Sequence, residues 1–341
     1  MAGKTPVRAI DVARTSGVSR ATVSRAFTEG SSISEVKLRR VLEAADALGY
    51  RPNAIARTLT SRKSGIVGIV IADLVNPFYA KVLETTCLKL QERKLASLLL
   101  SGADAHNLDT LLPQLLSYQV DGVIVAAATL SSRLADRCAE RGLPVVQLNR
   151  YSELDHVNVV CCDNIRGGRM VAEHLLGIGR QRMAFLAGIE NTSSSRDREI
   201  GFRSGLAQVG LDLKARDVGN YVYRDALDAT QRLLSRKPRL DALFCANDAM
   251  AIAAVDVARS LKIKVPEELA IVGFDNTPPA SSQAYSLTSV DQNIDQMVDQ
   301  AVAMIVAGSP PTGQRAQKIF LASRLEVRNS TSGGATKVVR G

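Results

Sequence analysis

The chain has no tryptophan, and aromatic residues make up only 4% of its 341 positions. Leu, Ile, Val and Ala supply most of the 46% that is hydrophobic, which suits layered helices and parallel strands better than an aromatic-rich β-sandwich. Cysteine is scarce as well. Cys87, Cys138, Cys161, Cys162 and Cys245 form no C-x-x-C pair and are odd in number, so they read as buried free thiols of a reducing compartment rather than a disulfide or zinc framework. His106, His156 and His174 show no H-E-x-x-H or i,i+4 pairing, which argues against a catalytic metal centre. No stretch reaches the roughly 18 apolar residues of a membrane span. The opening MAGKTPVRAIDVARTSG is polar and basic rather than a secretory leader. A cytoplasmic protein with no membrane partner is expected. Also missing are a G-x-G-x-x-G after a strand, a Walker loop and a G-x-S-x-G elbow. No cofactor is therefore expected, and an enzyme on an α/β scaffold, such as a sugar kinase or dehydrogenase, finds no support.

What is present is an uneven charge. The net charge is +9, yet residues 1–63 hold 12 Lys/Arg against 5 Asp/Glu while the remainder holds 31 against 29. A small basic segment joined to a near-neutral body is the electrostatic pattern of a nucleic-acid reader with a separate domain. The length agrees, since it exceeds that of one ordinary compact domain.

Within the basic segment, Arg8–Arg14 reads as a helix with Ile10 and Ala13 on one face. Gly17 stands where a tight turn needs positive φ. Ser19 then stands as N-cap of a second helix, Arg20–Phe27, whose Val23 and Phe27 repeat at i,i+4 to pack onto the first. A third helix from Ser34 to Leu48 offers Val36, Val41, Leu42, Ala45 and Leu48 to a small core and ends at Gly49. Together these make a helix-turn-helix. In that geometry the second helix meets the major groove, and its candidate DNA contacts are Ser19, Arg20, Ala21, Thr22, Ser24 and Arg25. Arginine can bond guanine bidentately, whereas hydroxyls mostly grip phosphate. The alternative is a plain helical hairpin with a solvated basic face.

The run DVARTSGVSRATVSRAF, followed by LGYRPNAIARTL, resembles the lactose-repressor family of bacterial regulators. Both stretches at this spacing are specific to it. The resemblance implies a hinge helix after Tyr50-Arg-Pro-Asn53 that orders on the operator, pairs with its dimer mate and enters the minor groove, with Leu59 as the wedge between base steps. Asn53 is then a cap, Ala56 a compact contact and Arg57 a phosphate contact. On residues alone the segment reads as an interdomain linker, because Thr60-Ser-Arg-Lys-Ser-Gly65 is polar and ends in glycine.

From Gly65 onward short apolar runs alternate with amphipathic stretches. Ile66–Ala72, Leu95–Leu100, Val120–Ala127, Leu143–Leu148, Val157–Cys161, Met183–Ala187, Asp241–Ala246, Leu269–Phe274 and Leu287–Val290 read as strands. This alternation predicts an α/β body of parallel sheets flanked by helices, two sheets rather than one. It fits the two-lobed, periplasmic-binding-protein-like body that the resemblance implies. The expected organisation is a headpiece at 1–52, a hinge at 53–64, and a sensing domain at 65–330. That domain divides into lobes 65–161 plus 291–320 and 162–290, and a tail covers 331–341.

In open α/β sheets ligands sit beyond the carboxyl ends of strands, and polar clusters fall there: Asp73 with Asn76-Pro-Phe78-Tyr79, Asn149-Arg150, Asp163-Asn164, Asn247-Asp248 and Asp275-Asn276. Such groups suit a polyhydroxylated ligand, and Phe78 and Tyr79 offer faces for a sugar ring. Each Asp or Asn reads equally as a cap on the next helix. The resemblance adds Arg198 as an effector-contacting arginine, with Arg196 two residues before it. It marks Asn247, Asp275 and Gln292 as ligand positions and places Asn149 where several members carry aspartate. The missing tryptophan departs from members that stack one on the effector. Arg150, Arg166, Arg196 and Arg198 hint at an anionic ligand, although each reads equally as a salt-bridged surface arginine. The expected molecule is a homodimeric, sequence-specific regulator of a palindromic operator. Repression is the commoner pattern in the family, and control is by a small molecule, a sugar or a sugar acid or phosphate. The polar C-terminal stretch carries no leucine heptads and points to a dimer rather than a tetramer. A transport binding protein shares the body but not the basic helix-turn-helix.

Overall fold

The structure, a computed structural model, describes residues 7–27, 31–51, 63–101, 108–126, 131–152, 154, 157–309 and 315–332. The chain separates into two compact units, Met1–Ser64 and Gly65–Gly341.

The first unit contains three helices, α1 (Ala9–Ser16), α2 (Arg20–Ala26) and α3 (Glu35–Leu48). Gly17 ends α1 in the left-handed region at φ 65° and Gly49 ends α3 at the same φ, where a Cβ is disfavoured. Ser19 caps α2 by accepting a hydrogen bond from the Thr22 amide at 3.2 Å. The core is Val12, Ala13, Val23, Val41, Ala44 and Ala45, with Phe27 set edge-on to Tyr50 at 5.9 Å. Two expected core residues, Val36 and Leu42, lie outside it and are exposed, as is Ile10 of the first helix. The buried stripe of α3 runs through Val41, Ala44 and Ala45 toward Leu48 at i, i+3, i+4 and i+7, and neighbouring positions turn away by about 100° per residue.

The second unit is built on two six-stranded sheets. In the first, β1 (Ile66–Ile71), β2 (Ala96–Ser101), β3 (Gly122–Ala126), β4 (Val145–Leu148), β5 (Asn158–Cys162) and β11 (Lys318–Leu321) lie in the order β11-β5-β4-β3-β1-β2, all parallel. In the second, β6 (Met183–Ala187), β7 (Ala215–Val218), β8 (Ala242–Cys245), β9 (Ala270–Phe274), β10 (Thr288–Asp291) and β12 (Arg324–Glu326) lie in the order β12-β10-β9-β8-β6-β7. Only β12 runs antiparallel to its neighbour. Two-residue alternation sorts each strand between two layers. Val67, Ile69 and Ile71 of β1 join the core that includes Phe78 and Val82, whereas Val70 joins Leu115, Leu134 and Cys138 on the other face.

The helices between strands are α4 (Pro77–Glu92), α5 (Leu108–Ser117), α6 (Ser132–Glu140), α7 (Asn164–Gly177), α8 (Ser193–Ala207), α9 (Tyr223–Leu234), α10 (Asp248–Ser260), α11 (Pro278–Ser281) and α12 (Ile294–Ala307). The chain passes between sheets three times: after β5, between β10 and α12, which packs on the first sheet, and between β11 and β12. Each sheet with its helices forms one lobe. Four of the five cysteines are buried. Burial pushes the thiol of Cys138 up to about 11 and that of Cys162 to about 12, so both are unreactive thiols.

Candidate functional site

Two surfaces carry the candidate residues. On the first unit, Ser19, Arg20, Ala21, Ser24 and Arg25 are exposed along α2 and Thr22 is half-buried. Val23 faces inward as the buried anchor of the helix. Ser19 and Thr22 also share a hydroxyl–hydroxyl bond of 3.0 Å, so the start of α2 is fixed before any partner arrives. Arg20 and Arg25 form no ion pair among the described residues. The hinge candidates Asn53, Ala56, Arg57 and Leu59 lie outside the described residues.

On the second unit the strand-end clusters converge between the two lobes. A cleft is lined by Asp73, Asn76, Phe78, Tyr79, Asn149, Arg150, Ser194, Arg198, Tyr221, Asn247 and Asp275. The backbone aims several of these side chains. Asn149, Tyr221 and Asp275 all have positive φ, at 67°, 64° and 116°, conformations retained where the surroundings over-determine them. Arg198 is held from every side. Its Nε donates to Asn164 Oδ1 at 2.8 Å and its Nη1 to the Ala246 carbonyl; Nη1 also stands 3.6 Å from Asp275 Oδ1. Its guanidinium lies 3.7 Å from the Phe274 ring centroid. Two glycines permit this placement: a Cβ on Gly168 would lie 2.2 Å from the Arg198 carbonyl oxygen, and one on Gly201 would lie 1.9 Å from that of Ile165. Helices α7 and α8 can touch backbone to backbone only because both are glycine.

Several polar atoms in the cleft are buried without a hydrogen-bond partner among the described residues: Arg198 Nη2, Asn247 Nδ2 and Asn149 Oδ1. The remainder of each side chain is committed. Asn247 Oδ1 caps α10 through the Met250 amide at 3.0 Å, and Asn149 Nδ2 donates to the Tyr79 hydroxyl at 3.1 Å. The capping and ligand readings of Asn247 are thus compatible, since one side chain has an atom for each. Asn76 likewise caps α4 through the Phe78 amide. Desolvation raises the carboxyl of Asp275 to about 8, although the Arg198 guanidinium opposes the shift. It raises that of Asp248 to about 6.

Four candidates do not line the cleft. Asp163 caps α7 by accepting from the Arg166 amide at 2.9 Å. Arg196 projects away, pairing with Asp197 at 3.0 Å and donating to the Tyr151 hydroxyl at 3.0 Å, because two residues on a helix are about 200° apart and Arg198 already faces inward. Asp248 is buried beneath, accepting from the Thr277 amide at 2.7 Å and the Ser289 hydroxyl at 2.6 Å. Gln292 stands behind Asp275 and donates to it at 2.6 Å. Conversely, Ser194 and Tyr221 line the cleft, hydroxyl to hydroxyl at 3.0 Å, and were not among the candidates. Tyr221 follows β7, a polar edge strand with no apolar run to mark it. Ser194 opens α8, where a serine reads as ordinary capping.

The open volume between the lining side chains is about 10 Å³, room for about one water, so a sugar-sized ligand requires the lobes to part. Larger hollows of about 460 and about 520 Å³ lie at the amino ends of β6, β8 and β9 and beside the interlobe crossings. The cleft is preferred on its convergent, partly unpartnered buried groups, not on size. Among the described residues no group of three or more His, Cys, Asp or Glu is placed to hold a metal ion, and no helix is long and apolar enough to cross a membrane.

A basic three-helix reader and a two-lobed body closing on a polar cleft define a ligand-sensing DNA-binding regulator. Comparison with known proteins places it further. The family profile of bacterial regulatory proteins, lacI family, matches residues 10–53, and that of the periplasmic binding protein-like domain matches residues 172–331. The HTH-type transcriptional regulator CelR of Thermobifida fusca is 31% identical over 94% of this chain and 96% of its own. A solved complex of CelR with cellobiose has a TM-score of 0.70 at 29% identity, covering 95% of this chain and 99% of that one. The Lac repressor dimer bound to operator and the anti-inducer ONPF has the same fold, with a TM-score of 0.84 at 23% identity over 96% and 100% of the two chains. The chain belongs to the lacI family and is a helix-turn-helix transcriptional regulator.

Proposed function

We propose that the chain works as a cytoplasmic homodimer that represses transcription from a palindromic operator and is controlled by a sugar, a sugar acid or a sugar phosphate held in the interlobe cleft. It performs no catalysis. The observation that carries this reading is the cleft itself: side chains from both lobes converge there, and Arg198, Asn247 and Asn149 each keep a buried polar atom without a partner among the described residues. Such atoms are costly unless something bonds them, and a polyhydroxylated ligand does so with paired donors and acceptors. Support also comes from CelR having been solved with cellobiose and from the Lac repressor being a dimer on its operator.

The mechanism is a population shift. Two α2 helices read two half-sites, spaced by the dimer. The effector binds one lobe arrangement more tightly, so the DNA-competent form gains or loses population according to that difference. Hinge residues 53–64, with Leu59 as wedge, Asn53 as cap, Ala56 as a compact contact and Arg57 as a phosphate contact, couple lobe angle to operator grip. Gel-shift titration tests the reading. Sequence-preferring, salt-sensitive binding is expected, and its absence sinks the proposal. Arg198→Ala should abolish the effector response while DNA binding persists.

A further inference from the structure

Four arginines near the strand ends hint at an anionic ligand from sequence, and the structure separates them. Arg166 is exposed on α7 and Arg196 turns out to Asp197 and Tyr151. Arg150 and Arg198 remain, both lining the cleft and both buried, at 7% and 2% exposure. They come from opposite lobes, Arg150 from the loop after β4 and Arg198 from α8. Each guanidinium has an aromatic ring beneath it, Tyr221 at 5.3 Å and Phe274 at 3.7 Å. Stacking of this kind fixes the plane of each guanidinium, and Arg198 keeps Nη2 without a partner among the described residues, a charged donor of the kind that pairs with carboxylate and phosphate.

The rest of the cleft agrees in sign. Asn76 caps the 16-residue α4, Ser194 lies in the first turn of the 15-residue α8, and Asn247 caps the 13-residue α10. All three residues line the cleft, so three helix amino ends, each favourable to an anion, converge where the two guanidiniums lie. Each lining carboxylate has one oxygen already committed. Asp73 Oδ1 accepts from the amides of Val75 and Asn76 at 3.1 and 3.2 Å, and Asp275 Oδ1 takes the Gln292 amide beside Arg198.

We infer that the effector carries an anionic group, a carboxylate or a phosphate on a polyhydroxylated frame, seated between Arg150 and Arg198, with Arg150 as the residue that selects acid over neutral sugar. The inference rests on the cleft being the effector site. Asn247 and Asn149 bond the hydroxyls of the frame, and the anion draws the two lobes together by bridging arginines from each.

The test is calorimetry on the full chain with matched pairs: glucose against glucuronate and glucose 6-phosphate, and galactose against galacturonate, with inorganic phosphate as a simple anion. At least one acidic member should bind about tenfold or more tightly than its neutral congener, the value of one charge-assisted contact. The uronate and phosphate arms separate the two anion types. Arg150→Gln should bring the acid-to-neutral ratio toward one. Arg150→Lys, which keeps the charge but loses the fork, should retain part of it and guards against a folding defect in the glutamine variant. Neutral members binding as tightly as acids overturns the inference. If that binding is lost in Asn247→Ala, the cleft reading survives. No binding by any anionic member also overturns it, and when neutral members fail as well the sensing reading falls with it.

Discussion

Arg198 and Asp275 are a guanidinium and a carboxyl 3.6 Å apart and held out of water, and water exclusion decides how the carboxyl behaves. An unperturbed aspartate ionises near 3.9, whereas burial holds Asp275 at about 8 and Asp248 at about 6. Between roughly pH 4 and 8 the folded chain therefore keeps protons that the unfolded chain has released. Bound protons in excess on the folded side mean that stability falls as pH rises through that window and levels off above the folded value. Melting temperature of the parent chain should drop between pH 5 and pH 8, and Asp275→Asn should flatten part of that slope; an unchanged slope contradicts the assignment. Arg198→Ala belongs to the same scale. It leaves Asn164 Oδ1 and the Ala246 carbonyl without their buried donor, a loss of about 1–3 kcal/mol for each acceptor left unsatisfied, readable as the denaturation midpoint with an unchanged m-value.

Elements place these residues through contacts that leave no room for a methyl group. Gly201→Ala sets its Cβ 1.9 Å from the Ile165 carbonyl oxygen, so α7 and α8 must separate. A loss of about 1–3 kcal/mol is expected from overpacking, along with weakened effector binding as Arg198 moves. Gly177→Ala, with nothing within 4 Å, is the control and should be neutral or slightly stabilising; equal losses in both remove the close-approach argument. In the reader, Ser19→Ala should lower stability of the first unit by about 1 kcal/mol through the lost cap on Thr22. These elements differ in how readily periodicity reveals them. Central strands such as β3 and β9 are wholly buried, so they stand out as continuous apolar runs. The edge strands β7 (ARDV), β11 (KIFL) and β12 (RLE) carry charges at half-buried or exposed positions, and periodicity passes over them. With β7 went Tyr221. Asp73, Asn76, Phe78, Tyr79, Asn149, Arg150, Arg198, Asn247 and Asp275 were legible because each follows a recognisable strand or a family motif. Helical phase, invisible without fixed bounds for α8, put Arg196 on the opposite side.

At the scale of the whole molecule the charge is divided by task, 12 basic against 5 acidic residues up to Lys63 and near balance beyond. Phosphate contacts by the first segment release counterions, so log affinity falls linearly with log salt, with a slope of roughly −0.9 per contact. Base readout and wedging do not change the counterion count. That difference separates the roles assigned to individual residues. Arg57→Ala, removing a proposed phosphate contact, should weaken operator and random-sequence DNA alike and reduce the salt slope by about one. Leu59→Ala carries no charge change. As the wedge it opens a base step, at an unstacking cost of a few kcal/mol offset by the surface the bend brings into contact. Its loss should leave the salt slope intact and weaken operator binding far more than non-specific binding, so the ratio of the two affinities falls. Fluorescence anisotropy at four or five salt concentrations, on operator and scrambled duplexes, measures both quantities at once. Equal losses on the two duplexes in Leu59→Ala remove the wedge role and return residues 53–64 to a plain linker, even with the reader and the cleft unchanged.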